Sequence, residues 1–300
     1  MTSMPGVSVP LKSLLFVPGD SERKLGKAMT AGASALILDL EDSVPVDRIA
    51  LARGMVRDFL VQHGDRTATQ LWVRINALDT PLALHDLAEV VRGRPDGIVL
   101  PKVQSGRDVA VLDDYLTALE ARDGIPAGSL GIIPVTGETP RAVLNANSYA
   151  GVSPRLCGLT WGAEDLATAV GASGNRAESG EFEFTFQLAR SLCLLGAHAS
   201  GVQAIDTIAA DFRDQARLER EVRSSRRAGF SGKLCIHPDQ VAPVNAGYAP
   251  DASEIAHARA IVDAFARAGG AGAVQIEGRM IDKPHLTQAQ RILALAGQRT

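Results

Sequence analysis

The sequence has 300 residues, 46% of them hydrophobic, enough to bury one large core. Lys and Arg number 31 against 34 Asp and Glu, a formal charge of −3, so a general electrostatic grip on nucleic acid is not expected. Aromatic residues make up only 4%, too few for base-stacking platforms. Cys157, Cys193 and Cys235 are widely spaced, form no zinc or disulfide pattern and favour a reducing compartment. No signal-peptide pattern opens the sequence, and no apolar run is long enough to span a bilayer. The expectation is a cytoplasmic protein with neither a membrane nor a nucleic-acid partner.

Along the chain, short apolar runs rich in Val, Ile and Leu occupy 14–18, 35–40, 71–75 and 97–101. They recur at 131–135, 156–161, 202–205 and 233–236. Such runs suit strands buried on both faces. Amphipathic stretches at 22–31, 48–62, 108–121, 182–199 and 212–228 predict helices between them. About eight strand-then-helix units imply an α/β fold, a parallel sheet closed into a (β/α)8 TIM barrel. An open doubly wound sheet is the rival architecture. The barrel is expected over residues 1–250, with the first ten residues a loose tail. A C-terminal extension follows at 251–300: a helix at 252–267, a glycine-rich link at 269–272, the segment 273–282 and a last helix from Thr287.

Nearly every predicted strand ends in polar residues, where a barrel of this type carries its catalytic groups. The ends read Pro18-Gly19-Asp20, then Asp39-Leu40-Glu41-Asp42, Arg74-Ile75-Asn76 and Lys102. Gly137-Glu138-Thr139 and Gly162-Ala163-Glu164-Asp165 come next, then Asp206 and His237-Pro238. Carboxylates without a His/Cys cluster suit a hard cation, Mg²⁺ or Mn²⁺. Glu138 and Asp165 end adjacent strands and could share one ion. Alternatively, Asp165 caps the helix after it and Glu138 pairs with a Lys or Arg. Arg74 needs an anionic partner, which is Asp39, Asp42 or a substrate carboxylate. Arg23 and Lys27 share one helix face, as a phosphate handle or as ordinary solvated surface. His237 reads equally as structural or functional. Neither a dinucleotide fingerprint nor a nucleophile elbow is present.

These motifs resemble a known family. Ser13-Leu14-Leu15-Phe16-Val17-Pro18-Gly19-Asp20, Asp39-Leu40-Glu41-Asp42, Val73-Arg74-Ile75-Asn76 and Leu100-Pro101-Lys102 look like blocks of citrate lyase β-subunit-like proteins. So do Gly137-Glu138-Thr139-Pro140, Gly162-Ala163-Glu164-Asp165-Leu166 and the run from Gly232 to Pro238. The blocks occur in order over nearly the whole chain and are similar to the HpcH/HpaI aldolase/citrate lyase superfamily, which includes malyl-CoA lyases. The resemblance implies a (β/α)8 barrel with Mg²⁺ on Glu138 and Asp165, and Arg74 on the keto-acid portion. It implies coenzyme A near Phe16, Arg23, Lys27, Asp39, Glu41, Asp42 and His237, with Lys102 and Glu138 also facing substrate. Gly278 to His285 resembles the end of malyl-CoA and citramalyl-CoA lyases. In that branch the residue matching Asp282 is an acid/base that reaches a neighbouring subunit's site, in a homotrimer or hexamer. On the residues alone, Asp282 is a turn residue before Pro284.

The activity implied is cleavage, or formation by condensation, of a 3-hydroxyacyl-CoA thioester such as malyl-, methylmalyl-, citramalyl- or citryl-CoA. The products of cleavage are an acyl-CoA and a 2-keto acid. Alternatives are a class II aldolase on free hydroxy-keto acids, a citrate lyase β subunit acting on an acyl-carrier protein, and a non-catalytic acyl-CoA-binding protein.

Overall fold

The computed structural model describes residues 11–269, 272–276 and 278–296. The first ten residues and part of the glycine-rich link lie outside the described residues. Two compact units divide the chain, one running to Asn245 and the other starting at Ala246.

The first unit contains eight parallel strands. They are β1 (Ser13–Pro18), β2 (Ala35–Asp39), β3 (Gln70–Arg74), β4 (Gly97–Leu100), β5 (Gly131–Pro134), β6 (Gly158–Leu159), β7 (Gln203–Asp206) and β8 (Gly232–Cys235). Neighbours in sequence are neighbours in the sheet, and β1 pairs with β8. Between β5 and β6 closure is made by backbone bonds outside the short ladder: Ile132 N donates to Arg155 O, Cys157 N to Ile132 O and Thr136 N to Thr160 O. The sheet is a (β/α)8 barrel, not an open doubly wound sheet. The helices between strands are α1 (Glu22–Ala28), α2 (Ile49–Gln62), α3 (Ala83–Val90), α4 (Gly106–Asp123), α5 (Pro140–Leu144), α6 (Ala163–Val170), α7 (Phe184–Ala199) and α8 (Gln215–Ala228). The unit boundary falls inside α9 (Val241–Tyr248).

Side chains alternate across each strand, so one face of every strand points into the barrel. Leu14, Ala35, Ile37, Trp72, Val99, Ile133 and Leu234 form the interior. Continuing each column by two residues reaches Phe16 after Leu14, Asp39 after Ile37 and Arg74 after Trp72. At the C-terminal ends the interior therefore becomes charged, at Asp39 and Arg74.

Trp72 fills the middle of the barrel because two neighbouring strands offer glycine. A Cβ at Gly97 would lie 2.3 Å from Trp72 Cζ3 and 2.5 Å from Gly131 O. One at Gly131 would lie 2.8 Å from Trp72 Cη2. The indole cannot easily retreat, since its Nε1 donates to Gln70 Oε1 at 2.8 Å.

The second unit has its own core. Ala258, Ile261 and Phe265 of α10 (Ala252–Arg267) pack with Ile281, Ala289 and Leu293. Within the segment 273–282, β9 (Ala273–Ile276) pairs antiparallel with β10 (Arg279–Asp282), and residue 277 lies outside the described residues. The last helix, α11, spans Lys283–Leu295 and starts earlier than the expected Thr287. Pro284 stands in its first turn, where a missing N–H breaks no helical bond.

Gly97→Ala should destabilise the barrel by about 1–3 kcal/mol through overpacking against Trp72. Urea unfolding followed by Trp fluorescence checks this, and an unchanged midpoint would overturn the packing account.

Candidate active site

Five carboxylates and two cations meet at the C-terminal mouth. Arg74 ends β3 beside Asp39, its register partner at the end of β2. Its Nε donates to Asp39 Oδ1 at 2.7 Å and its Nη2 to Oδ2 at 2.8 Å, a two-pronged pair. Asp39 also accepts from the backbone N–H of Glu41 at 3.1 Å and of Ser43 at 3.2 Å. Burial works to raise the Asp39 pKa, but Arg74 and these donors together hold it below the ordinary carboxylate value. Of the two protein partners considered for Arg74, the structure selects Asp39; Asp42 lies with Lys102. Arg74 also stacks over Phe16, 4.6 Å from the ring centroid, and its Nη1 lies 2.9 Å from Glu41 Oε2. That last contact lacks hydrogen-bond geometry, leaving Glu41 Oε2 buried without a donor.

Lys102 follows β4 with φ +52°, a left-handed conformation unusual for a residue with a side chain. This turn sends both of its nitrogens into the acid cluster. Its backbone N–H donates to Glu138 Oε2 at 2.5 Å. Its Nζ donates to Glu41 Oε1 and lies 3.0 Å from Asp42 Oδ1 and 3.5 Å from Asp165 Oδ1. Burial works against the charged ammonium, but Glu41 and Asp42 outweigh it and raise the Lys102 pKa. Glu41 is pushed up, first by burial and also by Asp42, against the pull of Arg74 and Lys102.

Glu138 is 4% exposed. Its hydrogen bond comes from the Lys102 backbone, not from a Lys or Arg side chain. Gly162 backs it closely, since a Cβ there would fall 2.8 Å from Glu138 Cγ. Burial, then the negative charge of Asp165, pushes its pKa up to about 8. Asp165 sits in the first turn of α6, whose N-cap is Gly162 and has no side-chain cap bond. Asp165 therefore does not cap its helix. Glu138 and Asp165 form an electrostatically frustrated pair that a cation would relieve. The described residues hold no group of three or more His, Cys, Asp or Glu arranged for a metal. Two carboxylates, however, are the usual protein share of a Mg²⁺ site, with water and substrate oxygens filling the rest. The residues present fit such an ion.

Other predicted residues lie elsewhere. Asp206 is corrected: it leaves β7 on the face opposite the interior residue Ile205 and does not join the mouth. It accepts from Trp161 Nε1 at 2.8 Å and from Arg190 Nη2 at 2.7 Å. Burial opposes its ionisation, yet Lys233 and Arg190 hold its pKa down to about 2. Asn76 is buried on Asp86 and Leu40 O. Asp20 pairs with Arg48 at 2.6 Å. Arg23 and Lys27 are exposed on α1. His237 stacks on Phe212 with centroids 4.5 Å apart, and its Nδ1 accepts from Asp239 N at 3.3 Å. In the second unit, Asp282 ends β10, and His285 Nδ1 lies within hydrogen-bond reach of its Oδ1. That hydrogen bond lowers the Asp282 pKa. His285 closes the C-terminal run that carries the resemblance but is given no role there; its spacing of three from Asp282 across a helix start was the available signal.

A (β/α)8 barrel with acids and an arginine gathered at the C-terminal ends of its strands has the layout of a barrel enzyme. The family model for HpcH/HpaI aldolase/citrate lyase matches residues 12–238, and the chain belongs to that family. A second model, C-C bond lyase of the TIM-barrel fold, matches residues 179–298. The citrate lyase subunit beta of Escherichia coli K12 is 34% identical over 287 residues, 95% of this chain and 93% of that protein. A (3S)-malyl-CoA thioesterase of Cereibacter sphaeroides is 34% identical over 291 residues, 96% and 95% of the two chains. Among solved structures, CitE from Mycobacterium tuberculosis in complex with magnesium, acetoacetate and coenzyme A superposes with a TM-score of 0.81. It is 33% identical, and the match covers 97% of this chain and all of that one. The chain is a carbon–carbon lyase of this family. No described helix is long and apolar enough to cross a membrane.

The raised Glu138 pKa has a consequence for stability. Between about 4.5 and about 8 the folded state holds a proton that the unfolded state has lost. Glu138 thus stabilises fully below that window, and its contribution falls as pH rises through it, by at most about 1.4 kcal/mol per pH unit. Thermal melts of chelator-treated protein should show this fall in the parent and not in Glu138→Gln. Parallel pH profiles would sink the assignment.

Proposed function

We propose that the chain is a Mg²⁺-dependent lyase that cleaves or forms a 3-hydroxyacyl-CoA thioester, with an acyl-CoA and a 2-keto acid as the other side of the reaction. The observation that carries this reading is Glu138: a buried carboxylate held beside Asp165 without a cation of its own, next to the Arg74 guanidinium. Support for the substrate class comes from the names of the relatives, a citrate lyase subunit and a malyl-CoA thioesterase, and from the CitE complex with magnesium and coenzyme A.

Glu138 and Asp165 would hold the metal. When bound, Mg²⁺ supplies Lewis-acid charge beside the oxygen on which negative charge develops. Arg74, fixed from behind by Asp39, presents a rigid positive group to the substrate carboxylate. Phe16 walls the same guanidinium. In cleavage the 3-hydroxyl loses its proton to solvent water, the carbon–carbon bond breaks and the keto acid leaves. The electron pair passes to the α-carbon of the thioester as an enolate, and Asp282, once it has taken up a proton from water, delivers it to that carbon. In condensation Asp282 removes the same proton. His285 lies within hydrogen-bond reach of Asp282 Oδ1 and orients the carboxylate. Coenzyme A lies along Arg23, Lys27, the Asp39–Asp42 turn and His237. Lys102 keeps Glu41 and Asp42 in place beside it. Residues 251–300 carry Asp282 to the site of a neighbouring subunit in a homotrimer or hexamer.

Malyl-, methylmalyl-, citramalyl- and citryl-CoA, each assayed with Mg²⁺ for keto acid and free CoA, identify the substrate. Free CoA formed with no acyl-CoA product reports thioester hydrolysis. A coenzyme A titration with no specific binding would overturn the reading in favour of an aldolase on free acids. Glu138→Ala should lose calorimetric Mg²⁺ binding. Asp282→Ala should retain Mg²⁺ and CoA binding and lose about 10²–10⁴-fold in turnover. Mixing these two inactive variants should restore turnover in the mixed oligomer. Failure to restore it, with mixed oligomers demonstrated by mass, removes Asp282 from the neighbour's site.

A further inference from the structure

The first unit has a second polar recess, away from the mouth. A cleft of about 280 Å³ opens on the outer wall, between α7, α8 and the loop that follows α6. Its floor is Asp206 of β7 and Lys233 of β8, which are register partners. Asp206 leaves the sheet on the face opposite Ile205, so the cleft lies behind the barrel wall rather than in its interior.

At its inner end four cations share two carboxylates. Arg190 Nη2 lies 2.7 Å from Asp206 Oδ2. Glu221 serves the other three: Arg176 Nη2 at 3.0 Å, Arg217 Nε at 3.1 Å and Lys233 Nζ at 3.6 Å. The surplus donors turn to neutral backbone. Gly180 O accepts from Arg176 Nη1 at 2.9 Å and from Arg217 Nη2 at 3.0 Å. Lys233 Nζ, on a residue only 2% exposed, donates to Thr207 O at 2.7 Å. Gly180 has φ +86°, a conformation that favours glycine and holds its carbonyl between the two guanidiniums. Arg176 is pinned further over the Phe182 ring, 3.8 Å from its centroid. Burial, with the repulsion of Arg217 added, puts the Arg176 pKa below its ordinary value despite Glu221.

At the rim, Arg220 adds a cation, and Glu181 and Asp214 add acids. Asp214 already accepts from the backbone N–H of Arg217 at 2.9 Å. The whole lining thus has five cations and four acids, with the excess concentrated inside. A recess lined by one more cation than acid, with its guanidiniums held in place, is organised for a planar or tetrahedral oxyanion.

We propose that this cleft is a second binding site of the enzyme, for a small dianion of the phosphate or dicarboxylate class, which Arg176, Arg217 and Lys233 would hold. The ligand takes over the donors now spent on Gly180 O and Thr207 O.

Inorganic phosphate and malonate are titrated separately into the full-length protein by calorimetry at constant ionic strength, since salt screens exposed charge. The parent should bind one of them saturably, and the tighter of the two identifies the ligand class. The double variant Arg176→Gln/Arg217→Gln should weaken that binding about tenfold or more, the loss expected for charge-assisted hydrogen bonds. Circular dichroism checks its fold. Glu181→Gln and Arg220→Gln alter only exposed rim residues and keep the test open should the double variant unfold. The first should tighten binding and the second weaken it. Parental affinity in the folded double variant, or in both rim variants, overturns the site.

Discussion

The pair between Arg74 and Asp39 sets the charge distribution of the whole mouth. The Arg74 guanidinium is largely buried at the end of its strand, and Asp39 beside it answers with two parallel hydrogen bonds. Asp39 is consumed by this pairing, with its remaining lone pairs on the backbone of Glu41 and Ser43. Lys102 is then the second cation for the other four acids, and its ammonium goes to Glu41 and Asp42. Glu138 is left without an ion-pair partner among the described residues, and Asp165 has only the more distant edge of the same ammonium, at 3.5 Å. The place proposed for a hard cation is therefore a remainder, created by where the two protein cations have been placed.

That remainder persists because the floor beneath it is rigid. Trp72 is wedged against glycine backbone on β4 and β5, and Gly162 closes on Glu138 from the β6 side. Glu138, buried against Gly162, has no room to turn away from Asp165. Lys102 makes the same point from the backbone. Its left-handed φ is an energetic cost, of order 1–3 kcal/mol, tolerated where one residue must direct an N–H to Glu138 and an ammonium to Glu41.

Much of this was legible in the sequence, for a simple reason. A strand buried on both faces reads as an apolar run, and its C-terminal residue in a barrel reads as a polar interruption. That sufficed to locate Asp39, Arg74, Lys102, Glu138 and Asp165 as neighbours. Pattern does not report which face a polar residue takes at the last position of a strand. Asp206 follows Ile205 by one residue, and that one-residue shift sends it through the wall to Arg190 instead of into the mouth. Nor does pattern show pairing between helices. Glu221 and Arg217 look like a solvated α8 surface, and only folding brings Arg176 and Lys233 onto the same carboxylate. Asp282 became a candidate through resemblance alone, and its partner His285 emerged from the geometry of the α11 start.

The two ionic systems of the first unit are opposite in sign. The mouth has Asp39, Glu41, Asp42, Glu138 and Asp165 against Arg74 and Lys102, while the inner end of the outer cleft has four cations against Asp206 and Glu221. A formal net charge of −3 conceals this separation. Trp161 stands between the two. Its indole N–H is held by Asp206 in the cleft, and its Cβ packs against Gly137, the residue before Glu138. On its other side the chain passes directly into Gly162 and the α6 turn that carries Asp165. Trp161 thus adjoins the segments that carry both acids, Gly137 before Glu138 and Gly162 before α6. Its hydrogen bond to Asp206 and its edge-on contact with Phe182, centroids 5.1 Å apart, tie the cleft lining to the segment between the two acids.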